Sequence, residues 1–225
     1  MRVADRATFA GPTLAAAEAL LGSFLVRDGA EGRRIGRIVE LEAYIGVADL
    51  ASHARFGRTS RNSVMFGPPG VAYVYLVYGM YDCLNIVTEG DGEPAALLVR
   101  AVEPVTGVNA MRSARLAWTA ARRRVDGDAL AVERERLAGV PDDRLASGPG
   151  LVAAAFSIDR SITGTDLCAA RSSLRIEVAA GDVPRPRILR GPRVGVGYAG
   201  EEWAGRPWRF AVEDSPSVSA PPLRG

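Results

Sequence analysis

Two glutamates, Glu40 and Glu42, stand two residues apart in the segment IVELEAYIG, and the only histidine of the chain, His53, follows them. On a strand such neighbours share a face, with Cα atoms about 6.6 Å apart. A carboxylate facing a partly enclosed site can hold a water and take its proton, typically for a ~10²–10⁴-fold gain in rate. It can also stabilise positive charge developing on a sugar. Arginines 55, 58 and 61 come next in ARFGRTSRN, then Tyr73, Tyr75, Tyr78 and Tyr81 in VAYVYLVYGMYDCLNIV. Arginine suits phosphate contacts. Aromatic faces stack on bases for about 1–3 kcal/mol each. Acid, aromatic surface and positive charge within residues 38–104 match what chemistry on a nucleobase requires.

Each signal has a structural reading when taken alone. The glutamates suit a solvated strand face, paired with Arg33 or Arg37. His53 suits a hydrogen-bonded structural histidine. The arginines suit a solvated loop, and the tyrosines a sheet packed with aromatics. Their order and proximity make the combination more telling than its parts.

Composition narrows the class. The chain has 225 residues, 48% of them hydrophobic, which is enough for one cored domain and excludes overall disorder. No apolar run approaches the ~20 residues needed to cross a bilayer. The segment MRVADRATFAGP lacks a signal-peptide core, so an intracellular site is expected. Cys83 and Cys168 form no C-x-x-C and read as reduced thiols. Two cysteines and one histidine argue against a protein-ligated metal site, and no cofactor is expected. Net charge is only +2, so charge acts by position. All 28 basic residues are arginine. Without lysine, side-chain Schiff-base chemistry is excluded.

The elements that must position these residues follow from pattern. Thr13 is placed to cap a helix, TLAAAEALLG, that Gly22 stops. FLVR and RRIGRIVELEAY read as strands; in the second, Ile38, Glu40 and Glu42 face one way and Val39, Leu41 and Ala43 the other. Residues 48–54 suggest a short helix, and 56–70 a long loop of the kind that often carries function. VAYVYLV and YDCLNIVT form a hairpin turning near Tyr78-Gly79-Met80. PAALLVRAVEP is a further strand. Residues 105–124 and ALAVERERLAG read as helices. GPG at 148–150 opens a buried helix whose amino end could face an anion. LRIEV, RILR, RVGVGY and PWRFAVED read as strands and turns. Residues 1–214 then form one domain, and 215–225 a flexible tail. The class is α+β: a single compact domain around a curved, mainly antiparallel sheet, with surrounding helices and a protruding β-hairpin.

The ordered series EAYIG, SHA, RTSRN, MFGPPG, YVYLVYGMYDCLNIV and LLVRAVEP, with LLGSFLVR, SGPG and RVGVGYAG outside it, resembles the alkyladenine (3-methyladenine) DNA glycosylase family. The resemblance spans about residues 13–214 and is weakest at 105–146 and 165–190. It implies that Glu42 positions and deprotonates the attacking water, while Glu40 is not the catalytic position. It implies a base pocket of Tyr44, His53 and Tyr75, with Asn85 helping to exclude bases that carry the guanine amino group. It places Tyr78 in the gap left in the DNA stack, Met80 and Tyr81 beside it in the minor groove, and Arg100 on the flipped nucleotide. Arg61 belongs to the arginine loop expected on DNA. The implied partner is duplex DNA containing damaged purines, bound by a monomer without a metal or organic cofactor.

One departure concerns lesion range. Many relatives carry Lys after Gly-Pro-Gly and Gln three residues later; Leu151 and Ala154 stand here. Two other classes use the same residues differently. A non-catalytic module for damaged DNA would keep the arginines and tyrosines and use the glutamates structurally. A nucleoside hydrolase would need neither the arginine loop nor the aromatic hairpin, and its activity would be nearly insensitive to salt.

Overall fold

The long strand around the two glutamates is the spine of the sheet. A computed structural model describes residues 1–77, 79–181 and 183–223. In chain order the elements are β1 (Arg2–Val3), α1 (Ala7–Ala10), α2 (Thr13–Leu20), β2 (Phe24–Gly29), β3 (Gly32–Ile45), β4 (Ala72–Val77), β5 (Tyr81–Val87) and β6 (Ala95–Thr106). Then follow α3 (Val108–Arg123), α4 (Gly127–Ala138), α5 (Pro149–Ala155), β7 (Leu174–Val178), β8 (Ile188–Gly191), α6 (Glu201–Ala204) and β9 (Arg209–Val212). Among the described residues nine strands form one sheet in the order β1-β7-β2-β3-β6-β5-β4, with β9 joining both β3 and β8. Every pairing between these strands is antiparallel. The α+β expectation therefore holds. Among the described residues no helix is long and apolar enough to cross a membrane.

Helices α2, α3 and α5 pack their apolar residues on the sheet. Leu20, Met111, Val152 and Phe156 join Leu41, Leu84, Ile86 and Val99 in the main core. Gly36 lets β3 pass close to its neighbours, because a Cβ there would lie 2.3 Å from Val102 Cγ1 and 3.1 Å from the Phe156 ring. Cys83 and Cys168 are both free thiols.

Strict alternation along β3 fails beside the glutamates. The β3–β6 register shifts between Ile38 and Glu40 and again between Glu40 and Leu41. Such bulges re-aim side chains by breaking the two-residue period. Ile38 consequently packs in the main core with Leu41 and Ala43, not beside the glutamates as alternation predicts. Glu40 and Glu42 still act together, because both reach Arg100.

Other local expectations are corrected. Thr13 lies inside α2 and does not cap it; its hydroxyl bonds Glu89 and Thr88 instead. Residues 48–52 form turns, and helical geometry begins only as a 3₁₀ turn, His53–Phe56, capped by the Ser52 hydroxyl. Of the segments read as strands and turns, RVGVGY supplies a turn: it runs as a loop into the 3₁₀ turn Gly197–Ala199. The amino end of α5 abuts the Tyr81 ring. The tail expected to be flexible is docked over its first part: Ser217 and Ser219 are buried. Arg144 donates to the carbonyls of Pro216 and Val218. Packing therefore continues past residue 214.

Candidate active site

Neighbouring strands bring the chemistry together in one cross-strand row. Arg209 of β9 pairs with Glu42 of β3, Glu42 with Leu98 of β6, Leu98 with Asn85 of β5, and Asn85 with Tyr73 of β4. Cross-strand partners share a sheet face. The backbone alone thus sets the acid and the tyrosine-bearing strands on one surface.

Glu42 is fully buried at residue level, yet it helps line a cleft of about 480 Å³ with Tyr44, His53, Arg61, Tyr75, Cys83 and Arg100. Two hydrogen bonds and an ion pair hold its carboxyl among the described residues. The Val194 N–H donates to Oε1 at 2.7 Å and the Tyr44 hydroxyl to Oε2 at 2.9 Å. Arg100 Nη1 lies 3.3 Å from Oε1. Burial raises the Glu42 pKa, opposed by Arg100, the Val194 N–H and the Tyr44 hydroxyl, with Glu40 adding slightly to the rise. A solvated glutamate face is thereby overturned. Arg33 pairs with Asp28 and Arg37 with Glu103, not with Glu40 or Glu42.

Val194 reaches Glu42 because Arg193 is anchored. The buried Arg193–Asp49 pair is bidentate, at 2.6 and 2.9 Å. Asp49 also accepts the N–H groups of Ile45 and Ala51. The Arg193 guanidinium lies 4.8 Å from the Tyr44 ring centroid. One buried ion pair therefore ties the turn after β3 to the loop that supplies the N–H. Sequence reasoning assigned no role to RVGVGY, because a backbone donor leaves no side-chain signature.

An inner pocket adjoins the cleft, lined by Tyr44, His53, Tyr73, Tyr75, Asn85 and Tyr198 among others. The expected set Tyr44, His53, Tyr75 and Asn85 is brought together here. Tyr73 and Tyr198 are additions. The His53 and Tyr75 rings meet edge to face at 4.4 Å. His53 Nδ1 lies 3.0 Å from the Tyr73 hydroxyl. Burial, then the charges of Arg61 and Arg55, lower the His53 pKa to about 4, so the ring is neutral near pH 7. The Asn85 amide donates to the carbonyls of Tyr73 and Cys83, which fixes its orientation.

The arginine loop is folded around an asparagine. Buried Asn62 donates to the carbonyls of His53 and Gly57 and accepts from the Thr59 N–H and hydroxyl. It therefore holds the backbone of His53. Exposed Arg61 lies 5.6 Å from the Tyr75 ring centroid and lines the cleft.

The turn residues divide. Met80 is exposed at the β4–β5 turn. Tyr81 is turned inward: its ring stacks on Trp118 of α3 at 4.6 Å and 12°, with Gly150 of α5 against it. Asp82 beside it pairs with Arg122. Tyr78 lies outside the described residues. Arg100, expected on the nucleotide, lines the cleft and is engaged with Glu40 and Glu42. Ala154 is buried in α5, and the α5 residue at the cleft is Pro149.

With this geometry in view, the comparisons identify the family. The model of methylpurine-DNA glycosylase (MPG) matches residues 7–216. The chain belongs to the methylpurine-DNA glycosylase family, DNA-repair enzymes that act on the N-glycosidic bond. A protein of Methanocella arvoryzae is 48% identical over 219 residues, covering 97% of this chain and 96% of its own. One of Myxococcus xanthus is 42% identical, covering 96% and 93%. One of Streptomyces avermitilis is 40% identical, covering 95% and 89%. Each is named "Putative 3-methyladenine DNA glycosylase".

Proposed function

We propose that this protein is a monofunctional glycosylase that rotates alkylated or deaminated purines out of duplex DNA and hydrolyses their N-glycosidic bond in base excision repair. The observation that carries this reading is Glu42. It is a buried carboxylate held by Arg100, Tyr44 and the Val194 N–H at a cleft walled by His53 and Tyr75.

Arginine–phosphate contacts bring the protein to DNA largely independently of sequence. Flipping costs a few kcal/mol, least where damage has weakened pairing, so selectivity begins before chemistry. Tyr78 fills the vacancy, and Met80 lies beside it in the minor groove. The extruded base stacks among Tyr44, His53 and Tyr75. An N-alkylated purine carries positive charge and prefers aromatic faces. Neutral His53 places no opposing charge against it. Asn85 limits entry of bases bearing the guanine amino group.

As the C1′–N bond breaks, its electron pair leaves with the base and the sugar gains oxocarbenium character. Glu42 takes a proton from water as the water oxygen bonds to C1′. The products are free base and an abasic site. With no lysine in the chain, no lyase step accompanies excision.

The test is excision from duplexes carrying 3-methyladenine, 7-methylguanine, ethenoadenine or hypoxanthine, read as strand breaks after hot alkali. Glu42→Gln is expected to bind lesion DNA like wild type and to lose about 10²–10⁴-fold in rate. Excision near the wild-type rate removes Glu42 from this role. Binding by wild type without any excision leaves the damaged-DNA binding module as the better reading.

A further inference from the structure

The support of Glu42 reaches beyond the strands that carry it. Glu40 is fully buried and accepts from Arg100 Nε and Arg209 Nε, each at 2.7 Å on Oε1. Its remaining donors among the described residues come from a single residue of the C-terminal segment. The Ser219 N–H donates to Oε2 at 2.7 Å and the Ser219 hydroxyl to Oε1 at 3.0 Å. That hydroxyl also accepts from Arg100 Nη2 at 2.9 Å, and the Ser219 carbonyl accepts from Arg209 Nη2 at 3.0 Å. A guanidinium only donates, which fixes the direction of these bonds. Every polar group of Ser219 is thus spent on one cluster.

Two carboxylates and two guanidiniums balance in this cluster, as buried charges must. Within it, Arg100 has Nε on Glu40 and Nη2 on Ser219, which leaves Nη1 turned to Glu42 at 3.3 Å. With Nε alone anchored, the guanidinium could pivot about that bond. The Ser219 hydroxyl is the second point that stops it.

We propose that Ser219, docked from the C-terminal segment, is a positioning residue of the active site, setting the Arg100 guanidinium against Glu42. This rests on the reading of Glu42 as the base. Glu42 is faced by Arg100 from β6, Glu40 and Tyr44 from β3, Tyr75 from β4, Cys83 from β5 and the Val194 N–H. Of these, Arg100 is the largest influence favouring the carboxylate. Loosening it raises the pH at which Glu42 becomes competent.

Ser217 supplies the control. It is as buried as Ser219, but its hydroxyl has no hydrogen-bond partner among the described residues. Single-turnover excision is followed against pH on the lesion that wild type releases fastest, with lesion-DNA affinity and thermal melting measured alongside. Ser219→Ala is expected to lose about 10–100-fold in rate, the worth of a hydrogen bond to a charged group. Its acid limb moves to higher pH while affinity holds. Ser217→Ala is expected to match wild type throughout. An unchanged rate and limb in Ser219→Ala, a slower rate with an unmoved limb, or an equal loss in Ser217→Ala overturns the assignment. Ser219→Thr keeps a hydroxyl: a wild-type limb supports the assignment, and a limb displaced upward overturns it. If wild type releases no base from any lesion, the glycosylase reading has failed, not the role of Ser219.

Discussion

The Tyr44 hydroxyl donates to Glu42 Oε2 across 2.9 Å. Burial, reinforced by the charge of Glu42, holds the Tyr44 pKa well above that of a free phenol, so the hydroxyl keeps its proton and remains a donor. A side chain expected only as a pocket wall therefore also orients the acid.

Tyr44→Phe separates the two roles. The ring stays and the donor goes. Because that bond favours the Glu42 carboxylate, its loss raises the acid limb of excision. The rate is expected to fall about tenfold, in line with one hydrogen bond to a charged acceptor, with lesion-DNA affinity unchanged. Single-turnover rates across pH check it; loss of affinity with a wild-type limb would leave Tyr44 as a pocket wall alone.

His53 has a pH signature of its own. Its folded pKa is depressed to about 4 from an ordinary 6.5. Between those values the unfolded chain binds a proton that the fold refuses, so His53 costs stability as pH falls through that window. Thermal melting should drop further between about pH 7 and pH 5 for wild type than for His53→Gln. Equal drops for the two proteins would contradict the depressed value.

The fold and the centre of the site were legible because they rest on side chains with strong period or rare chemistry. The strand around Glu40 and Glu42, the paired tyrosine strands and the helices after β6 all carry their pattern within one element. What escaped depends on contacts between distant segments. The bulge at Glu40 leaves no mark in a single strand, since it reflects how β6 meets β3. Val194 acts through its backbone. Ser219 looks like part of a Ser/Pro-rich tail until Glu40 is seen accepting from its N–H and hydroxyl and the two arginines donating to its oxygens. Asn62, legible only as part of RTSRN, is the staple that folds the loop.

The arginine loop predicts salt dependence. Arg58 is exposed, beside the Phe66 ring. If it meets a phosphate, Arg58→Gln should weaken binding to all duplexes alike and reduce the slope of log affinity against log salt by about one. The single-turnover rate at saturation should stay at the wild-type value. Titrations over a range of salt check this, and an unchanged slope would take Arg58 off the DNA path.

The last prediction concerns how the β4–β5 turn is braced. Tyr81 stacks on Trp118 and has Gly150 packed against it, and it pairs with Val77 across the strands that flank the turn. A Cβ at Gly150 would lie 2.5 Å from Tyr81 Cδ1, 2.6 Å from Cγ and 2.8 Å from Cβ, so the tyrosine must shift. Overpacking of this kind costs about 1–3 kcal/mol, or roughly 2–4 °C of melting temperature per kcal/mol at this chain length. The shift is passed to the turn, so Gly150→Ala should also weaken lesion-DNA binding more than the single-turnover rate. Trp118→Ala opens the space into which Tyr81 can retreat. In that background Gly150→Ala should cost less than it does alone, giving a coupling of about 0.5 kcal/mol or more in a double-mutant cycle. Additive losses would mean that the new methyl is strained against something other than Tyr81, and that the turn is not held from this side.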